Sequence, residues 1–265
     1  MDLGLQGKKA WVLGASSGLG RATARSLAAE GAALAISARG EESLVATAEE
    51  IKETAGTPCM PVPLDVSDLG AIDAAARRVH DELGPVDVLV VNAGGPPPGT
   101  FDAFDGHQPI EDAFNLVTAS AWHLTKSVVP QMKERGSGVI LYVTSWSTKE
   151  PIQGLLLSNM MRAAVVGMMK TVSKELGPHG IRMLCVAPGR IETPRLQALD
   201  ELTAKADDKT VDDVRAASHA QIPLDRYGQP HEFGDVVAFL ASDRASYLSG
   251  ITVLVDGGML NGLLS

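Results

Sequence analysis

The chain has little that would staple or anchor it. Two cysteines, Cys59 and Cys185, occur among 265 residues, each in an apolar stretch. They read as two buried free thiols in a reducing compartment rather than as a disulfide framework. No apolar run approaches the ~18 residues of a membrane span. The start, Met1 to Lys9, is broken by Gly4, Gly7 and two lysines, and has no apolar signal-peptide core. These absences lead to the expectation of a cytoplasmic protein with no membrane partner. Positive charge is also scarce: 23 Lys and Arg stand against 32 Asp and Glu, a net charge of −9. That balance argues against nucleic acid, whose phosphates call for clustered Lys and Arg. No His/Cys/Asp spacing fits a metal-ligand set. Aromatics are rare at 4%, and the three tyrosines are Tyr142, Tyr227 and Tyr247. The 84 positions between the first two hold none.

What is present is a regular alternation. Short apolar runs (Ala10 to Leu13, Ala33 to Ser37, Val62 to Leu64, Val86 to Val91, Gly138 to Val143, Arg182 to Ala187, Val253 to Val255) are separated by helical patterns such as Arg21 to Glu30, Glu41 to Ala55 and one opening at Ser67. Continuous apolar runs between amphipathic helices mark strands buried on both faces. The expected fold class is therefore α/β: a Rossmann-like, doubly wound, parallel sheet of about seven strands flanked by helices on both faces. No linker divides residues 1–265, so one dinucleotide-binding domain is expected. The charged, helix-prone segment 193–224 reads as a helical flap over a substrate.

The first run ends in Leu13-Gly14-Ala15-Ser16-Ser17-Gly18-Leu19-Gly20, directly before a helix. Glycines at 14, 18 and 20 allow a tight turn that brings backbone N–H groups to a pyrophosphate at the helix N-terminus. No acid ends the second run, Ile36-Ser37-Ala38-Arg39. A carboxylate there would bind the ribose hydroxyls of NAD. Arg39 can instead stack on adenine and pair with a 2′-phosphate, so NADP(H) is favoured over NAD(H). The alternative is a solvated surface arginine.

The spacing G-x-x-x-G-x-G resembles that of the short-chain dehydrogenase/reductase family. Further matches follow in order: Leu64-Asp65-Val66, Asn92-Ala93-Gly94, Pro188-Gly189 with Ile191 and Thr193, Arg226-Tyr227-Gly228-Gln229-Pro230, and Val255-Asp256-Gly257-Gly258. The resemblance runs from about Leu5 to Gly258. It implies adenine contacts at Asp65 and Val66, a cofactor strip at Asn92, Ala93 and Gly94, and a nicotinamide loop at Pro188, Gly189, Ile191 and Thr193. It also implies a small carbonyl or alcohol substrate, with 3-oxoacyl thioesters the nearest class, and a homo-oligomer, tetramer or dimer. Ala163 to Met169, apolar on nearly every side, fits a helix buried against both the sheet and another subunit.

The resemblance further implies a catalytic set of asparagine, serine, tyrosine and lysine. Asn115 matches the first and Ser145 the second. Thirteen residues past Ser145, where the tyrosine belongs, stands Ser158, and four further on, in place of lysine, stands Arg162. A helix puts these two on one face. Serine is a far weaker acid than tyrosine, and arginine stays protonated, so neither cycles a proton as the usual pair does. Arg162 can still bind ribose or support a developing oxyanion. Two readings follow: an oxidoreductase with an altered relay of Asn115, Ser145, Ser158 and Arg162, or a catalytically impaired NADP(H)-binding sensor or assembly protein. Lys149 and Glu150, in the loop after Ser145, read mainly as solvated charges, and Trp146 as either a pocket wall or core. Tyr142 reads as core, and Tyr247, His107 and His123 carry no expected role. His219 and His231 border the flap, within possible reach of a substrate, and the flap residues Leu196, Leu199, Leu202 and Val211 either face an apolar substrate or pack against the sheet, packing being the plainer reading.

Overall fold

The computed structural model describes residues 2–262. Seven parallel strands form one sheet in the order β3-β2-β1-β4-β5-β6-β7. They are β1 (Lys9–Leu13), β2 (Ala33–Ser37), β3 (Cys59–Pro61), β4 (Val88–Val91), β5 (Gly138–Val143), β6 (Ile181–Pro188) and β7 (Thr252–Val255). The helices are α1 (Gly18–Ala29), α2 (Glu41–Ala55), α3 (Leu69–Glu82), α4 (Gln108–Ala113), α5 (Ser120–Arg135), α6 (Leu156–Leu176), α7 (Pro194–Ala206), α8 (Val211–His219) and α9 (Pro230–Ala241).

Strand residues point alternately to the two faces, so the central runs supply two cores. Val12, Val90, Leu141 and Val186 face one, with Leu27, Leu44 and Phe233 from α1, α2 and α9. Leu13, Leu89, Ile140 and Cys185 face the other, with Ile72, Leu124 and Val165 from α3, α5 and α6. Fully burying each such Leu, Ile or Val contributes roughly 1.5–3 kcal/mol. This explains why the strands read as continuous apolar runs rather than alternating ones. Tyr142 lies in the second core, and its hydroxyl pairs with Thr125 Oγ1 at 2.6 Å.

One strand is displaced from its expected place. The β3 ladder covers Cys59–Pro61, three residues before Val62 to Leu64. The chain nevertheless continues along β2, with Val62 N donating to Ile36 O (2.8 Å) and Leu64 N to Ala38 O (3.0 Å). Pro61 and Pro63 lack the N–H of an ordinary strand residue, and β3 tolerates them because it is an edge strand. The next helix opens at Leu69 rather than Ser67, because Asp68 caps it by accepting from the Gly70 and Ala71 N–H groups.

Both thiols are buried, and burial raises each to about 12. We expect neither to react with a thiol reagent at pH 8 until the protein unfolds, two then titrating together. Rapid labelling of one thiol in native protein would contradict this packing. No helix among the described residues is long and apolar enough to cross a membrane.

Candidate active site

The strand order reverses between β1 and β4, and ligands of open parallel sheets bind outside the carboxyl ends of strands at such a point. The chain leaves β1 at Gly14, β4 at Asn92, β5 at Thr144 and β6 at Gly189, all on that edge. Gly14 has φ +63°, and a Cβ there would run into the Asn92 side chain and carbonyl. At Gly20 a Cβ would strike the Gly14 carbonyl itself. These two glycines allow the turn to fold onto itself and start α1 directly behind it. The N-cap of α1, Ser17, is extended and makes no side-chain capping bond. Its first-turn N–H groups, including those of Gly18 and Leu19, are therefore left for an anion. Ser16 is half-buried beside them.

Thr193 faces this turn from across the cleft, its methyl 3.5 Å from where a Gly18 Cβ would lie. Its hydroxyl caps α7 by accepting from Leu196 N at 3.3 Å. The loop beneath is clamped. Gly189 N donates to Val255 O (2.9 Å), Glu192 N to Gly228 O (2.8 Å), and Gly228 N to Arg190 O (3.0 Å), with Ile191 buried between them. The Tyr227-Gly228 and Val255-Asp256 signatures thus hold the Pro188-Gly189 loop in place. At the far end of the cleft, Asp65 is held below the usual carboxylate range, first by the Ser67 hydroxyl, with the exposed Arg39 adding its charge. Arg39 is therefore close to Asp65, at the mouth where an adenosine would lie. Val66 packs on the second core, while Ala93 is half-buried and Gly94 is open.

Of the four catalytic candidates, the structure joins two directly. Arg162 Nε donates to Ser158 Oγ at 3.2 Å, and its Nη1 donates to Val143 O at 3.0 Å. Ser158 is 6% exposed. The guanidinium is thereby tied to the end of β5, two residues before Ser145. Burial first, then the positive charge of Arg195, draws Arg162 down to about 10. It stays cationic at neutral pH. Ser145 Oγ accepts from Ser147 N (3.1 Å) and caps the short turn Trp146–Thr148. Asn115 lies not in an ordinary helix but in the π-helical stretch Phe114–Ala119 between α4 and α5, a local widening often found at functional sites. Neither Ser145 nor Asn115 is hydrogen-bonded through its side chain to Ser158 or Arg162 among the described residues.

Other candidates fall away. Tyr142 lines a small cavity beneath Arg162, but burial pushes its hydroxyl up, beyond ready proton exchange, and Thr125 engages it. Tyr247 is fully exposed, and Glu150 is exposed. Trp146 is half-buried. His219 stacks edge-on against Tyr227 at 4.7 Å between ring centres, a packing role. The residue that sequence reasoning missed is Arg195. In the sequence it is one charge among many in 193–224, and its place two residues after Thr193 is the usable signal. Its guanidinium lies where a Gly95 Cβ would be, so it crosses the cleft from α7 to the loop after β4.

Residues 14–260 match the family described as "Enoyl-(Acyl carrier protein) reductase". A 3-oxoacyl-[acyl-carrier-protein] reductase FabG of Thermotoga maritima is 35% identical over 261 residues, covering 97% of this chain and 99% of that protein. Among solved structures, L-sorbose reductase from Gluconobacter frateurii, complexed with NADPH and L-sorbose, aligns with a TM-score of 0.94 at 31% identity, covering 99% of this chain and all of the other. An actinorhodin polyketide ketoreductase with NADPH aligns with a TM-score of 0.91 at 32% identity, covering 97% and 98%.

Proposed function

The chain belongs to the short-chain dehydrogenase/reductase family, and we propose that it is an NADP(H)-dependent oxidoreductase interconverting a carbonyl and an alcohol through a relay without tyrosine. The observation carrying this reading is the Arg162–Ser158 pair, tied to the end of β5 beside Ser145 in an otherwise complete cofactor cleft. The residues present fit the cofactor. The glycine turn and the α1 N-terminus suit a pyrophosphate, and Arg39, with no acid beside it on β2, suits a 2′-phosphate. NADPH held there would supply the hydride for the carbonyl carbon.

The chain's own residues then manage the oxygen. Ser145 donates a hydrogen bond to the carbonyl oxygen and polarises it. Because Ser158 Oγ accepts from Arg162, the serine's own proton remains free to be donated. The fixed charge of Arg162 supports the developing oxyanion through that hydroxyl. The net proton comes from water, which the amide of Asn115 would hold. The segment 193–224, as α7 and α8, acts as the flap. The assembly is a homo-oligomer, with Trp122 of α5 and the exposed Ala163, Ala164 and Gly167 of α6 as the contact face.

The reading is tested by following NADPH oxidation over ketones, quinones and 3-oxoacyl thioesters. Turnover of a carbonyl supports it, and NADPH binding without turnover of any class opposes it. Cofactor choice has a separate check. Arg39→Ala is expected to weaken NADPH binding about 10- to 100-fold while leaving NADH binding within about threefold, as loss of a charge-assisted phosphate contact predicts. Equal effects on both cofactors would remove Arg39 from the 2′-phosphate site.

A further inference from the structure

The arginines lining the cleft differ from those around it in one respect. Arg190 pairs with Asp200 (3.3 Å), Arg215 with Glu192 (2.6 Å) and Arg226 with Glu232 (2.7 Å), so these three flap-region arginines each have a carboxylate. Arg195 and Arg162 have none: among the described residues neither makes a salt bridge. Arg162 has only a hydroxyl and a backbone carbonyl as acceptors, and Arg195 rests on Gly95, where the missing side chain makes room for a guanidinium and supplies no charge. Val91 pairs with Tyr142 on neighbouring strands, so the chain leaving β4 toward Gly95 runs beside the β5 end that holds Arg162, and the charge of Arg195, itself an exposed side chain, adds to the burial that disfavours the charge on Arg162. A partly buried cation without a carboxylate, with a second positive charge nearby, costs free energy that an arriving anion would recover.

We propose that Arg162 and Arg195 form an anion subsite that selects a substrate bearing a carboxylate beside its reactive carbonyl, that is, an oxo acid. This rests on the oxidoreductase reading and names its substrate class. The cofactor's pyrophosphate is the other available anion, but it already has the glycine turn and the positive end of α1. Arg162 is held at the end of β5 by Val143 O, on the Ser145 side of the cleft, and does not reach across to that turn. A group that engages both guanidiniums must therefore lie beside Ser145, where the carbonyl is reduced. Arg195, the second residue of α7, carries its half of the subsite on the flap.

The test uses 2-oxo and 3-oxo acids of four to ten carbons and their methyl esters. Calorimetric binding to the protein saturated with NADP⁺ is measured alongside NADPH oxidation. The acids are expected to bind about 10- to 100-fold more tightly than their esters, the range for a charge-assisted contact. Arg195→Ala should erase most of that gap, Arg195→Lys should keep part of it, and NADPH affinity should stay within threefold in both. Equal binding of acids and esters overturns the subsite, as does an Arg195→Ala variant whose NADPH affinity falls as far as its acid affinity. Acid preference without any turnover would keep the subsite and refute the oxidoreductase reading. Turnover without acid preference would do the reverse.

Discussion

Replacing Arg162 with methionine is expected to lower kcat/KM about 10²- to 10³-fold while leaving folding stability within about 1–2 kcal/mol. The two halves of this prediction come from one geometry. The loss of rate is what removing a preorganised charge from a developing oxyanion costs. The small change in stability is a near-cancellation. Val143 O loses a donor, which costs about 1–3 kcal/mol, whereas a buried cation without a carboxylate partner disappears, which is favourable. An arginine serving only the fold would give the opposite result, with stability lost and the rate per folded molecule kept. Thermal unfolding and steady-state kinetics on the same sample separate the two. The pH profile carries the same sign. Arg162 loses its charge as pH rises through about 10, so its contribution is present below that value and is lost above it. The rate on a substrate that does not itself titrate should hold from about pH 7 to 9 and then fall.

Restoring the residues usual in the family, by Ser158→Tyr with Arg162→Lys, is expected to reduce activity at least about 10-fold rather than rescue it. Ser158 is nearly fully buried and in hydrogen-bond contact with Arg162, so a phenol ring has to displace the side chains that cover it. Overpacking of that kind costs about 1–3 kcal/mol. The lysine brings a charge without the fork that reaches Val143 O and Ser158 together. A gain in turnover on simple ketones would instead mean that Ser158 and Arg162 record chemistry that has decayed, and would support the sensor reading.

The fold was largely legible because strands buried on both faces give unmistakable apolar runs. All seven were visible, and β3 slipped because buried Val62 and Leu64 extend the pairing with β2 beyond its assigned ladder. The Ser158–Arg162 contact was legible too, since a spacing of four on a helix fixes neighbours. The cleft's second arginine was not. Arg195 meets Gly95, a residue one hundred positions away, and nothing local distinguishes it from the arginines that pair with carboxylates. Asn115 was found by its match, but the π-helical widening that carries it leaves no mark in Phe114-Asn115-Leu116. Sequence spacing fixes partners within an element, whereas charge compensation across a cleft is settled by the tertiary fold.

The central claim is that hydride chemistry proceeds here with Arg162 in place of a tyrosine–lysine pair. The most direct measurement is transfer of deuterium from NADPH labelled at the nicotinamide C4 into the product of a reduced carbonyl, in the wild type and in Arg162→Met. The account predicts label on the new carbinol carbon in the wild type and a transfer rate lower by about 10²-fold or more in the variant. Tight NADPH binding with no label in any product, or equal transfer by both proteins, would contradict it.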